Sequence, residues 1–384
     1  MWHSESVPNI HITEVRVHQL TGKLEERFGW SRNWAYERQC TLVEVATDAG
    51  LTGWGDGGYG GDWLVENPGL VIGRSPFEVE AIHEELRAPG GFQERSRAQT
   101  HGGLDTALWD LVGQALGMPV SALLGRRYRD RVQPYCTALY RKDWADLAAG
   151  LAEEARSWKA AGFRVIKMKT GYGPEVDVEI VSAVRQALGA ETGLAIDSNC
   201  AYDAGTAAMI GKRLEPFNLL WWEEPVLASD YEGYRRLRNA FSIPLAAGEY
   251  LPADLLAGRF VQSRLVDILQ PDIETVGMTG ARRLTWLTWL NHMRLIPHNW
   301  GSAIRTAAEL HWAAVIPPVE GGLYSPPVMF EFDLTESPFR EAVIREKIEM
   351  GEDGLIPVPE GPGLGIHVVR EAVEEFRKNL IVIC

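Results

Sequence analysis

Cysteine is scarce: Cys40, Cys136, Cys200 and Cys384 are the four in 384 residues. They lie too far apart for a zinc ribbon and are too few for a disulfide scaffold. A reducing, cytoplasmic setting is the expectation. No run approaches the roughly 18 apolar residues that a membrane span needs. The first thirteen residues, with Glu5, His3 and His11, lack the apolar stretch of a secretory signal. Positive charge is in deficit, with 38 Lys and Arg against 52 Asp and Glu for a net −14 spread along the chain. No basic stripe is present to neutralise a phosphate backbone, so neither nucleic acid nor a membrane is an expected partner. A glycine fingerprint of the GxGxxG type is also missing after the first strand, which argues against dinucleotide binding.

A hydrophobic share of 46% with 23% charged residues marks a chain that folds and buries a core. Its length suggests two domains, or one large α/β barrel with an appendage. From Ile10 to Gly55 apolar and polar residues alternate around an Asp48-Ala49-Gly50 turn, which predicts a small antiparallel meander. Helices are predicted from Ser75 to Arg87, opened by Ser-Pro, and from about Gly103 to Leu116. Near Val132 the rhythm changes to short apolar runs, each followed by a helical pattern. These runs start at Gln133, Arg164, Gly193, Leu219, Ile243, Val266 and Met293, with a weaker eighth from Leu323 to Phe332. Repeated strand-helix units about thirty residues apart favour a closed α/β barrel over an open sheet. The tail after Ala342 is turn-rich and ends in a predicted helix, Glu371 to Leu380. It is expected to return to the N-terminal α+β part. The expected division is residues 1–131, 132–341 and 342–384.

In such barrels the chemistry gathers where strands run into the following loops. Polar residues fall there in succession: Lys167 and Lys169, Asp197 and Asn199, Glu223, Glu249, Asp272, His298. Asp197, Glu223 and Glu249 sit one strand-helix unit apart from one another. Strand-end acids can simply cap the next helix, but three at matching intervals converge on one low-dielectric rim, where they need a cation. All-oxygen ligation points to a hard ion, Mg²⁺ before others. Lys167 and Lys169, two apart on a strand, share a face and would depress one another's pKa, which would make one a neutral base. Asp272 and His298 end consecutive strands, where a carboxylate can orient an imidazole. A metal flanked by a lysine and a histidine suits removal of a proton α to a carboxylate, with the enediolate stabilised by the metal.

Several stretches together resemble the enolase superfamily, mandelate racemase group: GLDTALWDLVGQALGMPVSALLG, VIKMKTG, IDSNCAY, WWEEPV, AAGEY, LQPDIETVGMTG, IPHNW and VPEGPGLGI. The resemblance implies an α+β capping domain over a (β/α)7β TIM-like barrel, and Mg²⁺ held by Asp197, Glu223 and Glu249. It also implies Lys169 as base on one face and His298, oriented by Asp272, on the other. Glu331 is the match for an eighth-strand acid near the enediolate. Leu265 to Gly280 contains no lysine, which argues against cycloisomerase or dipeptide epimerase. Chains with both Lys-x-Lys and a His-Asp dyad resemble acid-sugar dehydratases, so the implied activity is dehydration of a small-molecule sugar acid to a 2-keto-3-deoxy acid by a homo-oligomer. Racemisation or epimerisation by proton transfer between Lys169 and His298 is the alternative. A non-catalytic binding protein on the same fold would have lost a ligand or base, and none is missing. Substrate choice is assigned to the cap, in Phe28 to Arg38 with Trp30 and Arg32, and in Gly55 to Asp62 with Tyr59. Asn199, Asn299 and Trp300 are placed against substrate hydroxyls. Trp54, Trp109 and Trp221 fall within apolar patterns and are read as core.

Overall fold

The alternating N-terminal sequence forms β1 (Ile12–Trp30) and β2 (Asn33–Thr47), a long hairpin, followed by β3 (Thr52–Asp56). The computed structural model describes residues 8–87, 100–125, 127–319 and 326–384. The start of the predicted eighth strand, 323–325, and most of the N-terminal stretch read for a signal lie outside the described residues. The sheet stacks on the helix Gly102–Leu116. Contact is so close that a Cβ on Gly55 would lie 1.9 Å from the Gly103 carbonyl oxygen, so glycine is required there. The predicted helix from Ser75 resolves into a single 3₁₀ turn, Pro76–Glu78, capped by Ser75, and an α-helix, Val79–Arg87.

Eight parallel strands follow: β4 (Arg131–Thr137), β5 (Val165–Lys169), β6 (Gly193–Asp197), β7 (Trp222–Glu223), β8 (Leu245–Ala247), β9 (Ile268–Leu269), β10 (Arg294–Leu295) and β11 (Met329–Asp333). They pair in chain order from β4 to β10, with β11 on the other side of β4. The Glu331 amide donates to the Pro297 carbonyl at 3.2 Å, joining β11 to the end of β10. Seven strand-helix units and a last strand make a (β/α)7β barrel. Its helices start on side chains suited to capping, since Asp146, Asp203, Asp230, Asp272 and Ser302 each accept a first-turn amide. One apolar plug fills the interior: Tyr135, Val165, Ala195, Trp221, Ala246, Ile268, Ile296 and Met329, each from a different strand or its flank. Two residues on from most of these, the side chains become polar, and the site begins.

The tail divides. Its β12 (Ile356–Pro357) pairs antiparallel with β4, and Ile356 and Val358 pack on Val132 and Phe330 of the barrel. The final helix, Arg370–Phe376, is shorter than predicted. Arg377–Ile383 forms β13, an antiparallel edge strand on β1. The backbone pairing offered by the edge of β1 outweighs the local helical pattern of this segment. Among the described residues no helix is long and apolar enough to cross a membrane.

Each of the three N-terminal cap strands reaches the barrel. Gly29 of β1 exchanges two backbone hydrogen bonds with Arg141, at 2.7 and 2.9 Å. Arg38 of β2 pairs with Asp333 at 2.9 Å, and Asp56 at the end of β3 pairs with Arg305 at 2.8 Å.

His311, on the helix Ala303–Val315, ties barrel, cap and tail together. Its Nδ1 accepts from the Ser121 amide at 3.3 Å and its Nε2 faces the Leu364 carbonyl at 3.1 Å, roles that only the neutral ring fills together. Burial lowers its pKa to about 4. The unfolded chain therefore binds the extra proton between about pH 6.5 and 4, and stability falls as the pH falls through that window. Relative to His311→Gln, the natural chain should lose up to about 3 kcal/mol from pH 7 to pH 4, read from urea midpoints. Parallel pH curves for the two chains would contradict this.

Candidate active site

Strand register brings the acids together. Lys169 on β5 lies opposite Asp197 on β6, and Asp197 lies opposite Glu223 on β7. Glu249 follows β8 by two residues, after Gly248 at φ +135°. Oxygens of Asp197, Glu223 and Glu249 all lie within 4.8 Å of one another, and all three side chains are buried. Beyond the strand ends the chain turns through left-handed backbone at Leu139, Asn199, Cys200 and Glu224, conformations that are costly for residues other than glycine and held by the surrounding packing.

Cations interleave with the acids. Lys167, with no exposed surface, meets Glu223 at 2.7 Å and Glu331 at 2.8 Å. Lys169 donates to Asp197 at 2.5 Å and to the Asn199 side-chain oxygen at 2.9 Å. His298 places Nδ1 2.7 Å from Asp272, while its Nε2 lies 3.0 Å from Glu249 and 3.4 Å from Glu331. Asp272 also caps the helix Ile273–Leu290, accepting from the Glu274 amide at 2.7 Å. The helix-capping role and the dyad role belong to one carboxylate, using different oxygens.

Burial and then Coulomb forces set the protonation. Burial opposes the charged lysines, yet Glu223 and Glu331 hold Lys167, and Asp197 holds Lys169, well above the usual lysine range. Lys167 does lower Lys169, as expected of neighbouring cations, but the acids outweigh that effect. His298 is likewise raised: burial works against its charge, and Glu331, Glu249 and Asp272 outweigh it. Glu223 is pushed up to about 7 by burial and by Asp197, Glu331 and Glu249, with Lys167 pulling the other way. Three acids, Asp197, Glu331 and Glu249, thus face Glu223 against the ammonium of Lys167. An all-oxygen, buried and acidic donor set fits Mg²⁺.

A small, partly open cavity lies above these groups, lined by Lys169, Asn199, Glu249, His298 and Glu331 on one side. Trp30, Tyr140, Tyr250 and Trp300 complete it. Trp30 meets Trp300 edge-on at 5.4 Å and Tyr140 at 6.2 Å, so the tip of the cap hairpin roofs the barrel mouth. The stretch Phe28 to Arg38 is a strand hairpin rather than a loose loop. Arg32 lines a neighbouring cavity that shares Asn199. Besides Arg32, two predicted contacts, Tyr59 and Asn299, are not among the residues lining the reaction cavity. Tyr59 packs against the main hydrophobic core, because its loop is fixed by backbone bonds from Gly58 to Glu274 and from Gly60 to Thr100. Asn299 is buried with its amide committed to Thr306 at 3.0 Å and the Glu331 carbonyl at 3.4 Å. Lys167 lies below the cavity and supports it through Glu223 and Glu331.

Gln270, Tyr140, Tyr250, Arg305 and Asp56 escaped the sequence reading. Gln270 donates to Glu223 at 2.9 Å from two positions before Asp272, where strand alternation could have found it. Tyr140 stands just past the first barrel strand. Arg305 comes from a helix, where strand-end logic gives no signal.

A closed barrel of parallel strands bearing acids on three successive strand ends, roofed by an α+β cap, defines an enolase-type architecture. The chain belongs to the enolase superfamily, mandelate racemase group. Residues 13–125 match the mandelate racemase / muconate lactonizing enzyme N-terminal domain and residues 150–372 the enolase C-terminal domain-like family. It is 35% identical to D-galactarolactone cycloisomerase of Agrobacterium fabrum, over 95% of this chain and 98% of that one. It is 31% identical to arabinonate dehydratase of Saccharolobus solfataricus, over 95% and 99% respectively. The crystal structure of 3,6-anhydro-D-galactonate cycloisomerase from Zobellia galactanivorans superposes with a TM-score of 0.81 at 32% identity, covering 96% of this chain and all of that one. Two relatives thus bear the name cycloisomerase, against the expectation drawn from the lack of a lysine between Leu265 and Gly280.

If the three acids hold the ion, Mg²⁺ should raise the melting temperature of the natural chain, and Glu223→Ala should abolish that rise. An equal Mg²⁺ response in the variant would contradict the assignment.

Proposed function

We propose that this chain is a Mg²⁺-dependent hydro-lyase that removes the proton α to a sugar-acid carboxylate and expels the β-hydroxyl, giving a 2-keto-3-deoxy acid. The observation that carries the reading is that Lys169 and His298, on different strands, line one cavity together with Glu249, one of the three clustered acids. Asp197, Glu223 and Glu249 would hold the ion, which when bound supplies positive charge for the substrate carboxylate. With a cation held by Asp197, the charge that keeps Lys169 protonated would be neutralised, and Lys169 Nζ, as the neutral amine, takes the α-proton, with Asn199 fixing its position by a 2.9 Å hydrogen bond. His298, as imidazolium, delivers a proton from Nε2 to the departing β-oxygen, and Asp272 holds the ring by its other nitrogen. Glu331, between Lys167 and His298, keeps that ring charged and aligned. Trp30, Tyr140 and Trp300 exclude water over the reacting carbons. The dehydratase name of the arabinonate relative supports this chemistry.

A second reading is favoured by the two relatives named cycloisomerase. In a 3,6-anhydro acid the oxygen on the carbon β to the carboxylate is part of a ring. The same proton removal and the same C–O cleavage then open the ring, and the leaving oxygen stays attached. Dehydration and ring opening differ only in what that β-oxygen is bonded to.

Lys169→Ala should lower turnover by about 10²–10⁴-fold while Mg²⁺ still raises the melting temperature. His298→Asn should stop product formation yet keep exchange of the α-proton with deuterium, followed by NMR. Screening open-chain and cyclic sugar acids by semicarbazide-reactive ketoacid decides between the two readings. Turnover that persists in chelator without divalent ions would overturn both.

A further inference from the structure

The two halves of the site are anchored differently. Lys169 is held by Asp197 and Asn199, both from the barrel. Asp272, which holds His298, is held in turn by a cap-bound cation. Arg305, 4% exposed on the helix Ala303–Val315, sets its Nη1 3.2 Å from Asp272 Oδ2, the oxygen that also meets His298. Its Nη2 reaches Asp56 Oδ1 at 2.8 Å, and Nη1 also pairs with Glu274 at 2.6 Å. Asp56 is itself fixed, its second oxygen accepting from the Ser302 amide at 2.6 Å. Asp56 ends β3, an edge strand of the cap sheet. The planar guanidinium thus bridges a cap carboxylate and a barrel carboxylate with separate nitrogens, a geometry that a lysine does not reproduce.

Resting on the elimination reading above, we infer that Arg305 is a positioning residue that aligns the Asp272-His298 dyad and makes the proton delivery by His298, but not the proton removal by Lys169, depend on the seating of β3. Arg305 acts from the far side of Asp272, where it fixes the carboxylate plane. A buried carboxylate left without that partner would turn or draw in water, and the ring it holds would swing with it. Misplacement of a catalytic group by an ångström is enough to cost about 10²-fold in rate. Lys169 is held by Asp197, Asn199 and the Tyr140 ring, none of which belongs to β3, and stays aligned when Asp56 or Arg305 changes.

The test is a double-mutant cycle on the Mg²⁺-loaded full chain, with the sugar acid that the screen identifies. Arg305→Lys keeps the charge and loses the fork. It should lower product formation by about tenfold or more with KM nearly unchanged, and Asp56→Asn should act in the same direction by a smaller factor. In the His298→Asn background, where deuterium exchange at the α-carbon is the readout, Arg305→Lys should change the exchange rate by less than about twofold, because its partner in the effect is already gone. Equal losses of exchange and product, or a full Arg305→Lys penalty persisting without His298, would reduce Arg305 to structural support and overturn the inference. Unchanged product formation in both Arg305→Lys and Asp56→Asn would overturn it as well. A natural chain that forms no ketoacid from any sugar acid, or a His298→Asn chain with no exchange, would instead strike the elimination reading itself.

Discussion

Everything at the mouth of this barrel depends on mutual neutralisation of charges that have been taken out of water. Asp197, Glu223, Glu249, Asp272 and Glu331 are each at most 3% exposed. Isolated, any one of them would stay protonated at neutral pH. Lys167, Lys169, His298 and Arg305 interleave with them, and each cation touches at least one acid within 2.8 Å. The parallel barrel makes this possible because each strand contributes an inward side chain at the same height, so acids and bases distant in sequence become cross-strand neighbours. The apolar plug beneath keeps the layer dry and gives its ion pairs their strength.

The cap completes the arrangement rather than merely covering it. Its three N-terminal strands each make a specific contact with the barrel, by backbone pairing at Gly29 and by buried ion pairs at Arg38 and Asp56. Arg38 also lies 3.8 Å from the centre of the Trp300 ring, so the contact that seats β2 shapes the cavity wall. Substrate shape and proton chemistry therefore share supports. A change in the cap that appears remote can alter either.

The cluster of Asp197, Glu223 and Glu249 and the Asp272-His298 contact were legible in the sequence because a single geometric rule covers them, with one polar group at the end of each strand and one strand for each repeat. Glu331, whose spacing from His298 made its assignment less direct, sits within contact of Lys167 and His298. What stayed hidden obeys no local rule. Arg305 reaches the site from a helix and Asp56 from another domain, so their proximity is purely tertiary. Tyr59 and Asn299 have the right chemistry for substrate contact, but loop backbone bonds and a buried amide network direct them elsewhere. The tail segment Arg377–Ile383 carries a helical pattern with an open sheet edge beside it, and the edge decided its structure.

The central claim concerns where a divalent cation sits. A crystal grown with Mn²⁺ in place of Mg²⁺ and measured for anomalous scattering should show one strong peak about 2–2.3 Å from carboxylate oxygens of Asp197, Glu223 and Glu249, beneath the cavity that Lys169 and His298 line. A peak elsewhere, or a fully loaded crystal with none at these three acids, would contradict the account.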